Sequence, residues 1–351
     1  MHHIEAFRLQ PHHIPELRNA RTLFAVDFRA CSSAVSENSW WVSYYENMLL
    51  PVIEKGWAVM NQEALPLYKE VPGVEYVVAS HSSELLKPLA QRLQEFSQWD
   101  AIDEIWAGVA HPALDALAAE KGKLLSYSFP DYRKNNDKIL QKLSIPSNLT
   151  PAWKRGVHQA AKGFLLKNSF GCGGLEVWHP DQTHNLDGVP FTQVVKENEG
   201  WYQEQFIQGV SCSASLYSNG SDTIIFGWSE LLFSETSSLS CLGGKLHDVA
   251  TLESYILKPL TICIDALKEG PLKNYQGFWG IDFIVENGTR DFYFLEANVR
   301  LTTLTVPQLL LGKLNATEGV FHEDLVEVQK YEIVTNYDAG TKKYDVLTVL
   351  S

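Results

Sequence analysis

Apolar and polar residues follow two different rhythms along this chain, and the rhythm changes near residue 150. In the first part, short apolar runs alternate with stretches whose apolar positions recur at helical spacing. Residues 22–27 (TLFAVD) read as a buried strand, and residues 38–56 (NSWWVSYYENMLLPVIEKG) as a helix closed by Gly56. The runs WAVMN and VEYVVAS predict further strands, and SSELLKPLAQRLQEF, opened by a serine cap, predicts a helix. IDEIWAGV and HPALDALAAEKG repeat the strand–helix order. Strand and helix in alternation to about residue 130 predict a parallel α/β layer.

After a polar joint, a helix is predicted from about Asp137, and strands then dominate: FLLKNS, LEVWH, FTQVV, WYQEQFI, SCSASLYS and DTIIFGWSELLF. TLESYILKPLTICIDALKEG interrupts them as a helix, and the tail reads as a hairpin around Asp338, Ala339 and Gly340. This part is α+β, and no internal repeat is visible.

Within it, residues 277–303 (GFWGIDFIVENGTRDFYFLEANVRLTT) place Asp282, Glu296, Asn298 and Arg300 on two adjoining strand-like runs. Alternation along the second run predicts Phe292, Phe294, Glu296 and Asn298 on one face. The Asn287–Gly288 pair signals a hairpin. A two-residue loop would leave Asp282 on the wrong face to join Glu296, whereas a longer loop, Asn287–Gly288–Thr289, would set it opposite Phe294; a longer loop or a bulge is therefore expected. Oxygen donors of this kind, two of them carboxylates, suit magnesium bridging to phosphates. A surface hairpin with incidental acids is the plain alternative.

Composition narrows the partners. At 351 residues, 45% hydrophobic and 20% charged, the chain has material for two or three packed units. A net charge of -13 argues against nucleic-acid and anionic-membrane partners and for small molecules. Five cysteines without CxxC spacing, and no long apolar run or leader, predict reduced thiols in the cytoplasm. The paired His2–His3 and His12–His13 read as a flexible histidine-bearing terminus. Trp40, Trp41, Tyr44 and Tyr45 read as core aromatics rather than a substrate-facing patch, and Cys172 as a loop filler rather than a nucleophile.

A second candidate constellation lies at FLLKNSFGCGGLEVW, where an apolar strand ends in Lys167 and a loop carries Gly171, Gly173 and Gly174. Backbone N–H groups of such a loop can close over phosphate oxygens, with the lysine adding charge; a glycine-rich hairpin turn is the alternative. Neither the GxxxxGK nor the GxGxxG spacing is present. WYQEQFIQGVSCSASLYSNG then carries Glu204 into another strand.

In this order, a lysine-ended strand, a glycine loop, a Glu204-bearing strand and then Asp282, Glu296 and Asn298, the chain resembles the ATP-grasp superfamily over residues 100–310. Its likeness is to the group with tyramine–glutamate ligases and predicted ATP-dependent carboligases, through QEQFIQGVSCSASLYSNG, CLGGKL and GFWGIDFIV followed by FLEANVRLTT. The resemblance implies an N-terminal parallel α/β domain (1–135), a small lobe acting as lid (136–207) and a large lobe with the C-terminal hairpin (208–351), the two lobes enclosing ATP. It implies that Lys138 and Lys167 hold phosphates, that Ser169, Gly171, Gly173 and Gly174 cover the triphosphate, and that Glu204, Phe206 and Ile207 contact adenine. Asp282, Glu296 and Asn298 would bind magnesium, with manganese as a substitute, and Arg300 would face the γ-phosphate or the acyl phosphate. Ser211 stands where many relatives carry a ribose-binding glutamate, and Asn168 where proline often follows the lysine.

The implied activity is an ATP-dependent ligase joining a small-molecule carboxylate to an amine through an acyl phosphate, with Arg300 and Lys167 as catalytic groups. A small-molecule kinase, a carboxylate–thiol ligase and a non-catalytic nucleotide-binding protein are the alternatives. The oligomeric state is left open, with a homodimer as one option.

Overall fold

The computed structural model describes residues 3–26, 51–61, 73–80, 93–156, 163–171, 177–179, 200–220, 222–234, 237–325, 333–338 and 343–350. The chain opens with β1 (His3–Ala6), followed by β2 (Thr22–Val26), β3 (Gly56–Asn61), β4 (Val74–Ser80), β5 (Glu104–Val109) and β6 (Leu124–Leu125). Strands β2 to β6 form a five-stranded sheet in the order β4-β3-β2-β5-β6, every pair parallel, as the strand–helix alternation predicts. Helix α1 (Pro112–Lys121) covers one face, with His111 as its cap and Gly122 closing it at φ 61°. Leu23, Ala25, Val59, Ile105, Leu114 and Leu117 form the core on that side.

Two short helices, α2 (Phe129–Asn135) and α3 (Lys138–Ser144), follow; Asp137 caps α3 by accepting from the Ile139 and Leu140 N–H groups. A four-stranded sheet comes next, built from β7 (Trp153–Arg155), β8 (Phe164–Asn168), β9 (Val177–Trp178) and β10 (Trp201–Gln205) in the order β7-β10-β8-β9. Among the described residues the largest sheet has nine strands. Its members are β11 (Gly209–Asn219), β12 (Asp222–Ser234), β13 (Ser237–His247), β14 (Gln276–Glu286), β15 (Phe292–Asn298), β16 (Glu318–Leu325), β17 (Ile333–Asp338), β18 (Lys343–Leu350) and β1. Helices α4 (Ser254–Glu269) and α5 (Thr305–Leu314) pack on it. The closing hairpin is present, with Asp338 opposite Lys343. The mixed α/β and α+β class expected from the sequence is the class observed.

Several expectations are corrected. The N-terminus is part of the fold: β1 pairs in parallel with β12, and Leu9, Ile14 and Leu17 are buried. His12 and His13 lie in or at a short 3-10 helix, where the His13 ring accepts from the Gln10 N–H. The predicted helix over residues 38–56 lies mostly outside the described residues; its described end, residues 51–55, is a turn with Val52 and Ile53 buried, consistent with the helix-breaking Pro51. Residues 81–92, the FTQVV run and the Trp40–Tyr45 cluster also lie outside the described residues.

Helix α5 and strand β16 carry no sequence-based expectation. In α5, Pro307 and Gly312 look like breakers, yet a Cβ added at Gly312 would lie 2.4 Å from the Leu9 carbonyl oxygen. The glycine is there to admit the N-terminal segment. Gly243 plays a comparable part between strands: its φ is +134°, and an added Cβ would lie 2.0 Å from the Phe321 carbonyl oxygen of β16. Gly243→Ala is therefore expected to destabilise the protein by at least about 1–3 kcal/mol, the cost of the backbone strain alone, measurable by urea unfolding. Among the described residues no helix is long and apolar enough to cross a membrane.

Candidate active site

The β14–β15 hairpin closes differently from either simple loop. Its loop has four residues, 287–290: Glu286 and Asp291 are bonded, and the Arg290 N–H reaches back to the Glu286 carbonyl. Gly288 and Arg290 have positive φ (89° and 62°). From there the register runs Val285 to Phe292, Ile284 to Tyr293 and Phe283 to Phe294, and would set Asp282 opposite Leu295. A bulge intervenes. Asp282 pairs with Glu296, Ile281 with Ala297 and Gly280 with Asn298.

Opposed residues in a sheet share a face, so the bulge reassigns the second strand. Phe292, Phe294 and Ala297 face the core with Phe283 and Ile281, whereas Glu296 and Asn298 stand on the other face with Asp282. The expectation that Phe292 and Phe294 share a face with Glu296 fails here, because strict alternation cannot cross an extra residue. The carboxylate row continues across the sheet: Asp282 is opposite Ser213, and Ser213 opposite Ser229.

Two amide side chains hold the outer edge of β15, which among the described residues has no neighbouring strand. Gln141 of α3 accepts from the Ala297 N–H and donates to the Ala297 carbonyl, both at 2.8 Å. Asn136 does the same for Val299, at 2.9 and 3.1 Å. Each amide supplies the donor and acceptor that a further strand would have supplied. The Leu301 N–H then reaches the Gly108 carbonyl just before the end of β5. These anchors fix the segment that carries Arg300, whose guanidinium donates to the Asn298 side-chain oxygen at 3.2 Å and to the Leu301 carbonyl at 3.1 Å.

Gln141 also brings α3 against the carboxylates. Lys138 Nζ lies 2.7 Å from Glu296 Oε2 and donates to the Gly171 carbonyl at 2.5 Å. Asn298 donates to Asp282 Oδ2 at 2.8 Å. Burial pushes the Asp282 carboxyl up to about 6, and Glu296 adds to the shift, while a Ser213 hydrogen bond and Arg300 oppose it. Burial also acts upward on Glu296, but Lys138 and Lys167 outweigh it and hold that carboxyl low.

Behind this pair is a second charge cluster. Lys167 of β8 lies 2.7 Å from Glu204 Oε2 of β10, and Lys142 of α3 pairs closely with Glu204 Oε1. Burial lowers the Lys142 pKa; it works the same way on Lys167, where Glu204 and Glu296 outweigh it and the net shift is upward. Glu204 is held low by both lysines against its own burial.

The sequence-chosen residues thus fall into two groups. Lys138, Lys167, Glu204, Asp282, Glu296, Asn298 and Arg300 converge through the contacts above. Ser169 is buried, its hydroxyl bonded to Asp137 and accepting from the Ile139 N–H, so its side chain is engaged with α3. Glu204 spends both carboxylate oxygens on lysines, and the Phe206 N–H is taken by the Gly163 carbonyl at 2.8 Å. Phe206 is 41% exposed while Ile207 is buried. Ser211 sits half-buried on β11 opposite Ile284. Gly171 is placed by its bond to the Asn168 carbonyl; Cys172, Gly173 and Gly174 lie outside the described residues.

Lys142, Asn136, Gln141 and Ser213 escaped the sequence reading. Lys142 left a trace: it stands four residues after Lys138, so both lysines lie on one face of a helix. The others left none, because a polar residue that bonds a distant backbone resembles any other polar residue. Among the described residues no group of three or more His, Cys, Asp and Glu side chains is placed to hold a metal ion. The Asp282, Glu296 and Asn298 set is of another kind, two carboxylates and an amide, and its all-oxygen chemistry fits magnesium.

The family model described as ATP-grasp domain matches residues 132–304, the span that holds every one of these groups. The chain contains an ATP-grasp domain. Solved ATP-grasp structures share its fold. An ATP-grasp superfamily protein from Archaeoglobus fulgidus is 16% identical, with a TM-score of 0.57 over 94% of this chain and 99% of that one. The L-amino acid ligase of Bacillus licheniformis is 15% identical, with a TM-score of 0.53 over 94% and 93%. N5-carboxyaminoimidazole synthetase from Staphylococcus aureus, complexed with ADP, is 10% identical, with a TM-score of 0.56 over 96% and 95%. No curated protein sequence matches the chain.

Proposed function

We propose that this ATP-grasp protein is an ATP-dependent carboxylate–amine ligase acting on amino-acid-like substrates through an acyl phosphate. The observation that carries the reading is the facing Asp282–Glu296 pair with Lys138 against it and Lys167 behind. Fixed cations and paired carboxylates together are what a transferring phosphoryl group needs. The fold shared with an L-amino acid ligase supports the choice of substrate class.

In this reading Lys138 and Lys167 hold the nucleotide phosphates, and backbone N–H groups of the loop through Ser169, Gly171, Gly173 and Gly174 close over them. The Ile207 backbone and the carbonyl of Phe206 meet the adenine edge, with Glu204 acting from behind as counter-ion. Magnesium, held by Asp282, Glu296 and Asn298, would withdraw charge from the γ-phosphoryl. An oxygen of the substrate carboxylate attacks the γ-phosphorus and ADP departs. The amine then attacks the acyl carbon, and inorganic phosphate leaves with the bonding pair. Arg300 faces the phosphoryl oxygens in both steps. The division into 1–135, 136–207 and 208–351 accompanies this reading, the middle part closing to exclude water.

The test is release of ADP and phosphate from ATP with magnesium across a panel of amino acids, singly and in pairs, with recovery of the amide. Release that requires a pair supports the ligase; nucleotide binding with no stimulating pair overturns it. A pH prediction follows from Asp282. Its carboxyl protonates as the pH falls through about 6, and a proton there competes with a cation. Affinity for magnesium alone is expected to fall about tenfold one pH unit below that value. Calorimetric titration checks it, and Asp282→Asn should remove the dependence.

A further inference from the structure

We infer that Lys142 is a positioning residue: a fixed internal counter-ion that holds Glu204 so that Lys167 can turn from it to the phosphates of a bound nucleotide. The inference rests on the reading of Lys167 as a phosphate ligand.

Glu204 is the centre of the cluster, with one lysine on each carboxylate oxygen. The two lysines are not equivalent. Lys142 has a side chain 0% exposed, enclosed by the rings of Tyr202 at 5.8 Å and Phe294 at 5.7 Å. It sits within α3, buried against those rings and the Glu204 carboxylate. Lys167 retains 10% exposure and stands next to the last residue of β8, where the chain enters the glycine loop.

The charges explain why two are needed. Glu204 is 1% exposed, and a carboxylate so enclosed must keep a partner. With Lys167 as its only partner, every approach of Lys167 to phosphate would strand Glu204. With Lys142 in place the carboxylate stays neutralised, and the three groups sum to one positive charge that Lys167 can present to the ligand. Lys138 does not substitute for Lys142, since its ammonium is committed to Glu296 and the Gly171 carbonyl.

The experiment compares the affinity of the full chain for ADP with its affinity for adenosine, which lacks the phosphates Lys167 would hold. In Lys142→Met, ADP affinity is expected to fall about tenfold, the worth of one charge-assisted contact, while adenosine affinity stays unchanged. Lys142→Arg keeps the charge and should keep the wild-type ratio. An equal loss for both ligands, which a purely structural role would produce, overturns the inference, as does an unchanged ratio.

Where Lys142→Met fails to fold, the double variant Lys142→Met with Glu204→Gln decides, since it removes both buried charges together and leaves Lys167 unopposed. Its preference for ADP over adenosine should equal or exceed the wild-type preference, and a collapsed preference overturns the inference. A wild-type protein with no preference for ADP would instead overturn the phosphate role of Lys167 itself. That result is read before any variant is made, so the two failures are distinct.

Discussion

Glu296→Ala is expected to reduce ATP-dependent turnover by at least about 10²–10³-fold, the scale on which removal of a single charge-stabilising group acts, while leaving the fold intact. The loss has two sources in one side chain. Glu296 is the carboxylate directly opposite Asp282, so its removal halves the anionic donors available to magnesium. It is also the partner of Lys138, which would lose its orientation and keep only the Gly171 carbonyl. The fold should tolerate the change because the side chain retains 17% exposure and its charge opposes that of Asp282. The apo variant should stay folded and melt somewhat below the wild-type temperature, because Lys138 loses its carboxylate, while Asp282 ionises at lower pH. Turnover within about threefold of wild type, read by coupled ADP release, would remove Glu296 from the reaction.

Glu204→Gln should act in the opposite manner, on the fold first. It strips the carboxylate from two lysines and leaves Lys142 fully buried with no counter-ion. Breaking a buried pair from one side costs about 3–5 kcal/mol, so the unfolding midpoint in urea should drop accordingly. The pH dependence has a definite sign. The pKa of Lys142 is already below its ordinary value through burial, and without Glu204 it falls further. The unfolded chain then binds more protons than the folded one over the alkaline range. Stability of the variant relative to wild type should therefore recover as the pH rises toward the ordinary lysine pKa. A constant deficit at all pH values would show that shape rather than charge holds this cluster together.

Much of the site is legible in residue types and order. Lys167 ahead of glycines, Glu204 on a strand, and Asp282, Glu296 and Asn298 on two strands joined by Asn287–Gly288 are local patterns, and the structure brings them to one place. What local pattern missed were residues whose roles depend on a distant backbone or charge. Gln141 and Asn136 are useful only because β15 arrives with an unpaired edge. Lys142 matters only because β10 delivers Glu204 to it. The flexible terminus was a misreading of the same kind, since β1 finds its partner more than two hundred residues away, with His3 opposite Asp222.

The sequence by itself determined most of the described strands, helices α1, α3 and α4, and the parallel character of the first sheet. These follow from periodicity and turn residues, which act over a few positions and need no knowledge of the rest of the chain. The sequence called for a longer loop or a bulge in the central hairpin, and the tertiary structure decided where the extra residue goes. Phe283, Phe294, Ile281 and Ala297 are all nearly devoid of exposure, and they can share one core face only if an extra residue is accommodated at the bulge. Burying those side chains outweighs strict alternation, and the same bulge turns Glu296 to face Asp282. A pairing of two carboxylates is costly on its own account, and it is the packing of the opposite face that imposes it.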